Sequence, residues 1–339
     1  MVTHLPNVLY LTGFSGSAGL LLVARDRTVL FTDSRYTLQA RQEITSARVQ
    51  IAKHGILRAA GEELRRMRRR GRLSVAYSPG QTTVAEKAAI DTHAAGKLRW
   101  IAAGNLIERL RAIKDDDEIS RMAASAQLIS DVFAQVLPVL RPGVPETTIA
   151  AEIDYRMRTL GAAGPSFESI VASGPRSAWP HARPSAKLLM KNELVVLDQG
   201  AILRAYCSDM TRTIFLGRGP KKIRAMYSAV LAALEAAKAV IRPGIEAEKI
   251  DKTARDVLKR HNLAGFFTHS TGHGLGLEVH EMPRLGRGES ARLETGMVVT
   301  VEPGVYVEGL GGIRIEDDVV VTPRGAQVLT TASREFFEL

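Results

Sequence analysis

Two stretches share one design: an apolar, β-rich run, a turn, and a second such run, with a carboxylate on each side. In residues 194–213, LVVLDQGAILRAYCSDMTRT, residues 194–197 are apolar and residues 211–215 are β-branched and aromatic, which predicts two strands and a tight connection. A turn centred on Leu203 and Arg204 leaves Asp198 and Asp209 equidistant from it. Antiparallel pairing would then set them opposite each other, Cβ atoms about 5 Å apart. The stretch GMVVTVEPGVYVEGLGGIRIEDDVVVT repeats the arrangement: Gly309, Gly311 and Gly312 mark the turn, and Glu302 and Glu316 are equidistant from Gly309. Facing like charges destabilise a strand pair unless a shared proton or a cation neutralises them. Charges meant for solvent do not need apolar neighbours on both sides. Four carboxylates plus one or two histidines therefore predict an oxygen-rich site for two divalent metal ions.

Elsewhere the pattern alternates. Residues 8–12, 18–24 and 28–32 read as strands, 36–44 as a helix, 49–52 as a strand, 56–70 as a helix, 73–76 as a strand, 84–95 as a helix and 98–101 as a strand. Strands alternating with helices predict a small α/β domain. A boundary falls near residues 113–118, where Asp115 and Glu118 have the spacing of a capping box. A long helix over about 116–140 and a second from 145 to about 160 follow. LRPGVPETTIAAEID, from Leu140, is then echoed by IRPGIEAEKIDKTAR, from Ile241, with Arg141/Arg242, Pro142/Pro243, Gly143/Gly244 and Ile149/Ile250 matching at one offset of 101. Each copy follows a long helix (221–241 in the second case) and precedes a carboxylate hairpin. The expected domain has pseudo-twofold symmetry, with both carboxylate pairs converging where its halves meet.

Composition narrows the classes. With 339 residues and 45% apolar content the chain can bury two cores, which rest on aliphatic side chains because only 5% are aromatic. The single cysteine, Cys207, forbids an intrachain disulfide and points to a reducing, cytoplasmic setting; a packed strand thiol is its expected role. No leader pattern opens the chain and no apolar run reaches about 18 residues, so no membrane partner is expected. The net charge of +10 gathers partly at Arg65–Arg72. Without aromatic interleaving this run reads as the solvated end of a helix, not as a nucleic-acid surface.

Histidines supply the remaining chemistry. His181 sits between two prolines in SGPRSAWPHARPS, and HSTGHGLGLEVHE holds His269, His273 and His280. Glycines beside His273 allow close backbone approach, and a neutral imidazole suits transition metals. His273 is the candidate ligand; His269 reads as a supporting group. GHGLG has no βαβ frame or downstream ribose acid, so a phosphate loop is set aside.

The ordered set HARP, DQG followed by SDMTRT, TGHGLGLEVHE, VEPGVY and IRIEDD resembles the pita-bread metallopeptidases (M24), closest to the Xaa-Pro aminopeptidase and prolidase branch. NVLYLTGFSGSAGLLLV with LFTDSRYTLQA resembles that branch's creatinase-like N-terminal domain. The implied architecture is α/β (α+β): a creatinase-like domain over residues 1–113, shortened at its start, and a pita-bread catalytic domain over 114–339. The resemblance puts metal ligands at Asp198, Asp209, His273, Glu302 and Glu316, with Asp209 and Glu316 bridging. It gives Glu302 proton transfer, places substrate-binding histidines at His181 and His280 and an active-site arginine at Arg314, and sets Tyr306 and Thr211 behind the ligands. Two Mn²⁺ ions are the implied cofactors, with Co²⁺ or Zn²⁺ as alternatives, and a homodimer is implied. The implied substrates are peptides with proline at the second position. The leading expectation is an aminopeptidase that releases the first residue; the alternatives are a prolidase confined to dipeptides, a non-peptidase enzyme on the same scaffold, and a binding protein. Retention of all five ligand types disfavours the last two.

Overall fold

Strand and helix alternate along the first 111 residues to build an α/β unit. The computed structural model describes residues 1–68 and 71–339 and falls into two compact units, Met1–Arg111 and Ala112–Leu339. The first runs α1 (Leu5–Thr12), β1 (Leu20–Val23), β2 (Thr28–Thr32), α2 (Thr37–Glu43), β3 (Arg48–Ile51), α3 (Ile56–Met67), β4 (Leu73–Tyr77), α4 (Val84–His93), β5 (Leu98–Ala102) and α5 (Leu106–Ala112). β1 pairs antiparallel with β2, whereas β2–β3 and β4–β5 are parallel. Leu20, Phe31, Leu64, Val75 and Ile90 form much of its core.

Two expectations change here. Residues 8–12 are helical, not a strand: Pro6 lies in the first turn of α1, and Gly13 ends it with a left-handed φ of 80°. These two signals outweigh the β propensity of Val8 and Tyr10. The helix α5 was not expected from the sequence. Of the basic run Arg65–Arg72, α3 includes Arg65 and Arg66 in its last turn; residues 69 and 70 lie outside the described residues.

The second unit contains α6 (Asp116–Val136), α7 (Glu146–Thr159), β6 (Gly164–Pro165), β7 (Ile170–Ser173), β8 (Glu193–Gln199), β9 (Ala201–Leu203), β10 (Tyr206–Cys207) and β11 (Met210–Leu216). It continues with α8 (Lys221–Val240), α9 (Ala247–Arg260), β12 (Gly272–Gly274), β13 (Glu281–Leu285), β14 (Val298–Val301), β15 (Gly304–Val307), β16 (Gly311–Arg314), β17 (Asp317–Thr322) and β18 (Gly325–Val328). The capping box at α6 forms as spaced, Glu118 N–H donating to Asp115 and Asp115 N–H to Glu118, each at 2.9 Å. Asp116–Val139 is long and apolar enough by length and composition to cross a membrane. Its apolar face instead packs on α7 and β9, and Leu128, Ile129, Val132 and Phe133 join the core beneath them.

The internal repeat is visible in the backbone. Gly143 and Gly244 both adopt left-handed φ, 90° and 82°. Gly143 N–H donates to Leu189 O at 2.8 Å and Gly244 N–H to Leu293 O at 2.7 Å. The return bonds, Leu189 N–H to Val144 O and Leu293 N–H to Ile245 O, are both 2.9 Å. Each half therefore ties its helix–turn–helix to the chain leading into its carboxylate strands. In the first half α6 and α7 cover the sheet β11–β8–β7; in the second α8 and α9 pack on β14 and β17 of the sheet β13–β12–β14–β17–β18.

The halves meet where β11 runs alongside β16 and β17. Thr213 Oγ1 donates to Arg314 O at 2.8 Å, Glu316 N–H to Thr211 O at 3.1 Å, and the buried Arg212 guanidinium to Glu316 O at 2.5 Å and Asp317 at 3.0 Å. The backbone of Glu316 is thus held from the other half of the repeat, its N–H by Thr211 O and its carbonyl by the Arg212 side chain.

Candidate active site and metal centre

The first hairpin closes one residue later than its sequence suggests. Ile202 faces Cys207 and Leu203 faces Tyr206, which puts Arg204 and Ala205 in the turn. Both have positive φ, 50° and 72°, as a two-residue turn matched to strand twist requires. Asp198 consequently faces Thr211, not Asp209. A one-residue shift of the turn moves the partner by two, so Asp209 stays on the face of Asp198 as its diagonal neighbour. Cys207 is buried in β10.

The second hairpin has the expected register. Val301 faces Asp317 and Gly304 faces Arg314, so Glu302 and Glu316 come level across a break between the two ladders. At that break Glu302 N–H turns to Thr271 O at 2.7 Å and Glu316 N–H to Thr211 O. His273 lies in the short strand β12, and its flanking glycines are required. A Cβ on Gly272 would stand 2.0 Å from Thr300 O, and one on Gly274 2.2 Å from Met282 O.

These elements deliver their side chains to one cleft of about 630 Å³, lined by Asp198, Asp209, His273, Glu302, Glu316 and Arg314 and also by His181, His269 and His280. Potential ligand atoms of Asp209, His273 and Glu316 all lie within 4.8 Å of one another. His273 Nε2 is 3.8 Å from Asp209 and 3.6 Å from Glu302. Its Nδ1 lies 3.0 Å from Gly274 O, a carbonyl that can only accept. The proton therefore sits on Nδ1 and the Nε2 lone pair faces the acids, the tautomer a ligand needs.

Thr211 and Tyr306 stand behind this lining. Thr211 Oγ1 donates to Glu316 at 2.6 Å, and Arg314 donates to Thr211 Oγ1 at 2.9 Å, to Tyr306 OH at 2.6 Å and to Asp198 at 2.6 Å. Tyr306 OH in turn reaches His269 Nε2 at 2.8 Å. His269 Nδ1 donates to Ser270 O at 2.8 Å, so both its ring nitrogens are engaged and it supports the site through Tyr306. His280 packs its ring on His273, centroids 4.4 Å apart, and His181 sits exposed in its loop.

The donor set fits divalent cations. Of four buried or nearly buried carboxylates in the cleft Arg314 bonds one, Asp198, and the buried oxygens Asp198 Oδ1 and Asp209 Oδ1 have no hydrogen-bond partner. Burial and the Glu316 charge push Asp209 well above the usual carboxylate range, and burial with the Glu302 charge does the same to Glu316. Burial raises Glu302 to about 8, against the pull of Arg314. Burial lowers His273 to about 4, which keeps it neutral. Such a surplus of buried negative charge is untenable without protons or cations.

A pH dependence follows for the metal-free protein. Unfolded carboxylates titrate near 4. Those raised in the fold hold protons that the unfolded chain has released, so their stabilising contribution is full below pH about 4 and is lost as pH rises towards 8. The thermal midpoint in chelator is expected to fall by several degrees between pH 5 and pH 8, at about 2–4 °C per kcal/mol for a domain of this size. Added divalent metal should remove most of that slope. A midpoint in chelator independent of pH over this range would contradict the assignment.

One lining residue was not singled out in the sequence. Arg284 of β13 faces His273 across the β12–β13 ladder, on the same side of the sheet, and reaches the same cleft. Among the described residues its guanidinium forms no ion pair. The only available signal was its place in HEMPRL, and that has meaning only once β12 and β13 are known to pair.

The profile of metallopeptidase family M24 matches residues 120–323, and that of the creatinase/prolidase N-terminal domain matches residues 1–113. The Xaa-Pro dipeptidase of Pyrococcus furiosus is 40% identical over 231 residues, 68% of this chain and 66% of that one. Among solved structures, the Xaa-Pro dipeptidase from Bacillus anthracis superposes with a TM-score of 0.94 at 35% identity, covering 100% of this chain and 94% of that one. The X-Pro aminopeptidase from Thermotoga maritima gives 0.90 at 34% identity, covering 98% and 93%. The pita-bread architecture, the converging carboxylates and these matches lead to one conclusion: the chain belongs to metallopeptidase family M24, in its prolidase branch.

Proposed function

We propose that the protein is a prolidase: it hydrolyses the Xaa-Pro bond of dipeptides with two divalent cations, Mn²⁺ first among them, held by Asp198, Asp209, His273, Glu302 and Glu316. When bound, the ions supply Lewis acidity and neutralise the charge of the acid cluster. Glu302, which lines the cleft with its carboxylate 3.6 Å from His273 Nε2, takes the proton of the attacking water and delivers it to the prolyl nitrogen. That nitrogen belongs to a tertiary amide and leaves poorly without a proton. His280, beside His273, donates to the oxygen on which charge develops. His181 holds the proline side, and Arg314 keeps Asp198 and Tyr306 in place through its short bonds.

The observation that carries the dipeptidase reading over the aminopeptidase one is Arg284. A guanidinium without an ion-pair partner in the same cleft suits the free carboxylate of a substrate that ends at proline. A longer peptide carries its carboxylate elsewhere. The dipeptidase names of relatives from Pyrococcus furiosus and Bacillus anthracis support the same choice.

Arg284→Gln is expected to raise KM for an Xaa-Pro dipeptide so that kcat/KM falls by about 10- to 100-fold, as for loss of a charge-assisted bond. Hydrolysis of the corresponding dipeptide amide, already slow in the unaltered protein, should hardly change. Equal losses on the acid and the amide, or faster cleavage of Xaa-Pro-Xaa tripeptides by the unaltered protein, would return the choice to an aminopeptidase.

A further inference from the structure

The loop bearing His181 is held at both feet by one carboxylate. Glu146, at the start of α7, has a fully buried side chain. Its Oε1 accepts from Ser173 N–H and Ser173 Oγ, both at 2.8 Å. Its Oε2 accepts from Arg176 Nε at 3.1 Å, Ser185 N–H at 3.1 Å and Ser185 Oγ at 2.7 Å. All five donors belong to residues 173–185. Ser173 ends β7, Ser185 lies four residues beyond His181, and Arg176 also donates to Arg183 O at 2.5 Å, closing the loop across His181. On the inner side Gly312 N–H donates to Ser177 Oγ at 2.9 Å and Arg314 to Pro180 O at 3.3 Å.

The second half of the repeat uses the same device on a different residue. Asp251 of α9 accepts from Thr271 N–H at 3.1 Å and Thr271 Oγ1 at 2.8 Å, and Arg255 donates to it at 2.7 Å. Arg255 also donates to the carbonyls of Phe267 and His269. In both halves a buried acid on the second helix takes paired N–H and hydroxyl donors, from Ser173 and Ser185 in the first half and from Thr271 in the second, and holds an arginine that grips the histidine-bearing segment. At the repeat offset of 101 Asp251 falls on Ala150, one helical turn from Glu146 on the same face of its helix. The same placement was therefore reached from two different helix positions.

We propose that Glu146 is a positioning residue for His181: its carboxylate fixes the loop 173–185 so that the imidazole is presented to the substrate in the cleft. The inference rests on the role given to His181 above. Five hydrogen bonds to one charged acceptor leave the loop little freedom, and a misplacement of about 1 Å at a substrate-facing group is enough to lower kcat/KM by up to about a hundredfold.

The test is a double-mutant cycle on the metal-loaded enzyme with an Xaa-Pro dipeptide, together with hydrogen exchange. Glu146→Ala and Glu146→Gln should each lower kcat/KM by about tenfold or more, chiefly through KM, with metal content per chain unchanged. The pair Glu146→Ala/His181→Ala should be no slower than His181→Ala, within about twofold. Amides of residues 174–185 should exchange faster in Glu146→Ala while those of β8 and β11 do not. Losses that multiply in the double variant, or unchanged exchange in the loop, would overturn the clamp. Wild-type kinetics in His181→Ala, with faster loop exchange in Glu146→Ala, would instead overturn the role assigned to His181 and leave the clamp itself demonstrated.

Discussion

Replacing Asp209 by asparagine is expected to lower kcat/KM by about a thousandfold or more while the chain stays folded. The side chain is buried, Oδ1 has no hydrogen-bond partner, and Oδ2 lies 3.8 Å from His273 Nε2. Asparagine fills the same volume, and the backbone bond from residue 209 N–H to Asp318, 3.0 Å, does not involve the side chain. What is lost is one negative charge at the point where Asp209, His273 and Glu316 converge. Metal content should fall with activity. The sign of the stability change is informative. Burial and the Glu316 charge disfavour the ionised Asp209, so in chelator the variant should be at least as stable as the parent. With metal present it should be less stable, because the parent gains binding energy that the variant lacks. Metal analysis and thermal melts with and without chelator check both. Two ions per chain with undiminished turnover in Asp209→Asn would rule out its ligand role.

Glu302→Gln should lower kcat by about 10²- to 10⁴-fold, the range of a lost general acid–base. Glu302 is held by Thr271 O through its backbone N–H, and its carboxylate is 3.6 Å from His273 Nε2. Glutamine keeps an oxygen that can face a cation but can neither take nor return a proton. The loss should therefore depend on the leaving group. An ester analogue, whose alkoxide leaves with less help than a prolyl nitrogen, should lose less than the amide. Kinetics of the matched ester and amide read this directly; equal losses on both would place Glu302 outside proton delivery.

The parts of the site legible in the sequence were those set by local pairing. Facing carboxylates follow from strand alternation and turn position, and the Glu302–Glu316 pair has the register its glycines mark. The first hairpin differs from its sequence pattern by one turn residue because Arg204 and Ala205 adopt positive φ without being glycine or asparagine. Its consequence was small, since a shift of two keeps Asp209 on the same face. Residues 8–12 carry a β-rich composition, but Pro6 and Gly13 bound a helix there. Arg284 and Glu146 were out of reach for a different reason. Arg284 matters through its cross-strand partner His273, and Glu146 through bonds to residues 27 to 39 positions away. Neither distance leaves a periodic trace. The resemblance could name ligand positions, but not which buried acids hold their loops.

The most direct measurement is hydrolysis of an Xaa-Pro dipeptide and the matching Xaa-Pro-Xaa tripeptide by protein stripped with EDTA and then titrated with Mn²⁺. The two-metal prolidase assignment requires no cleavage by stripped protein, recovery as about two ions bind per chain, and preference for the dipeptide. Full activity in stripped protein, or no cleavage of either peptide by protein shown to hold two ions, would contradict it.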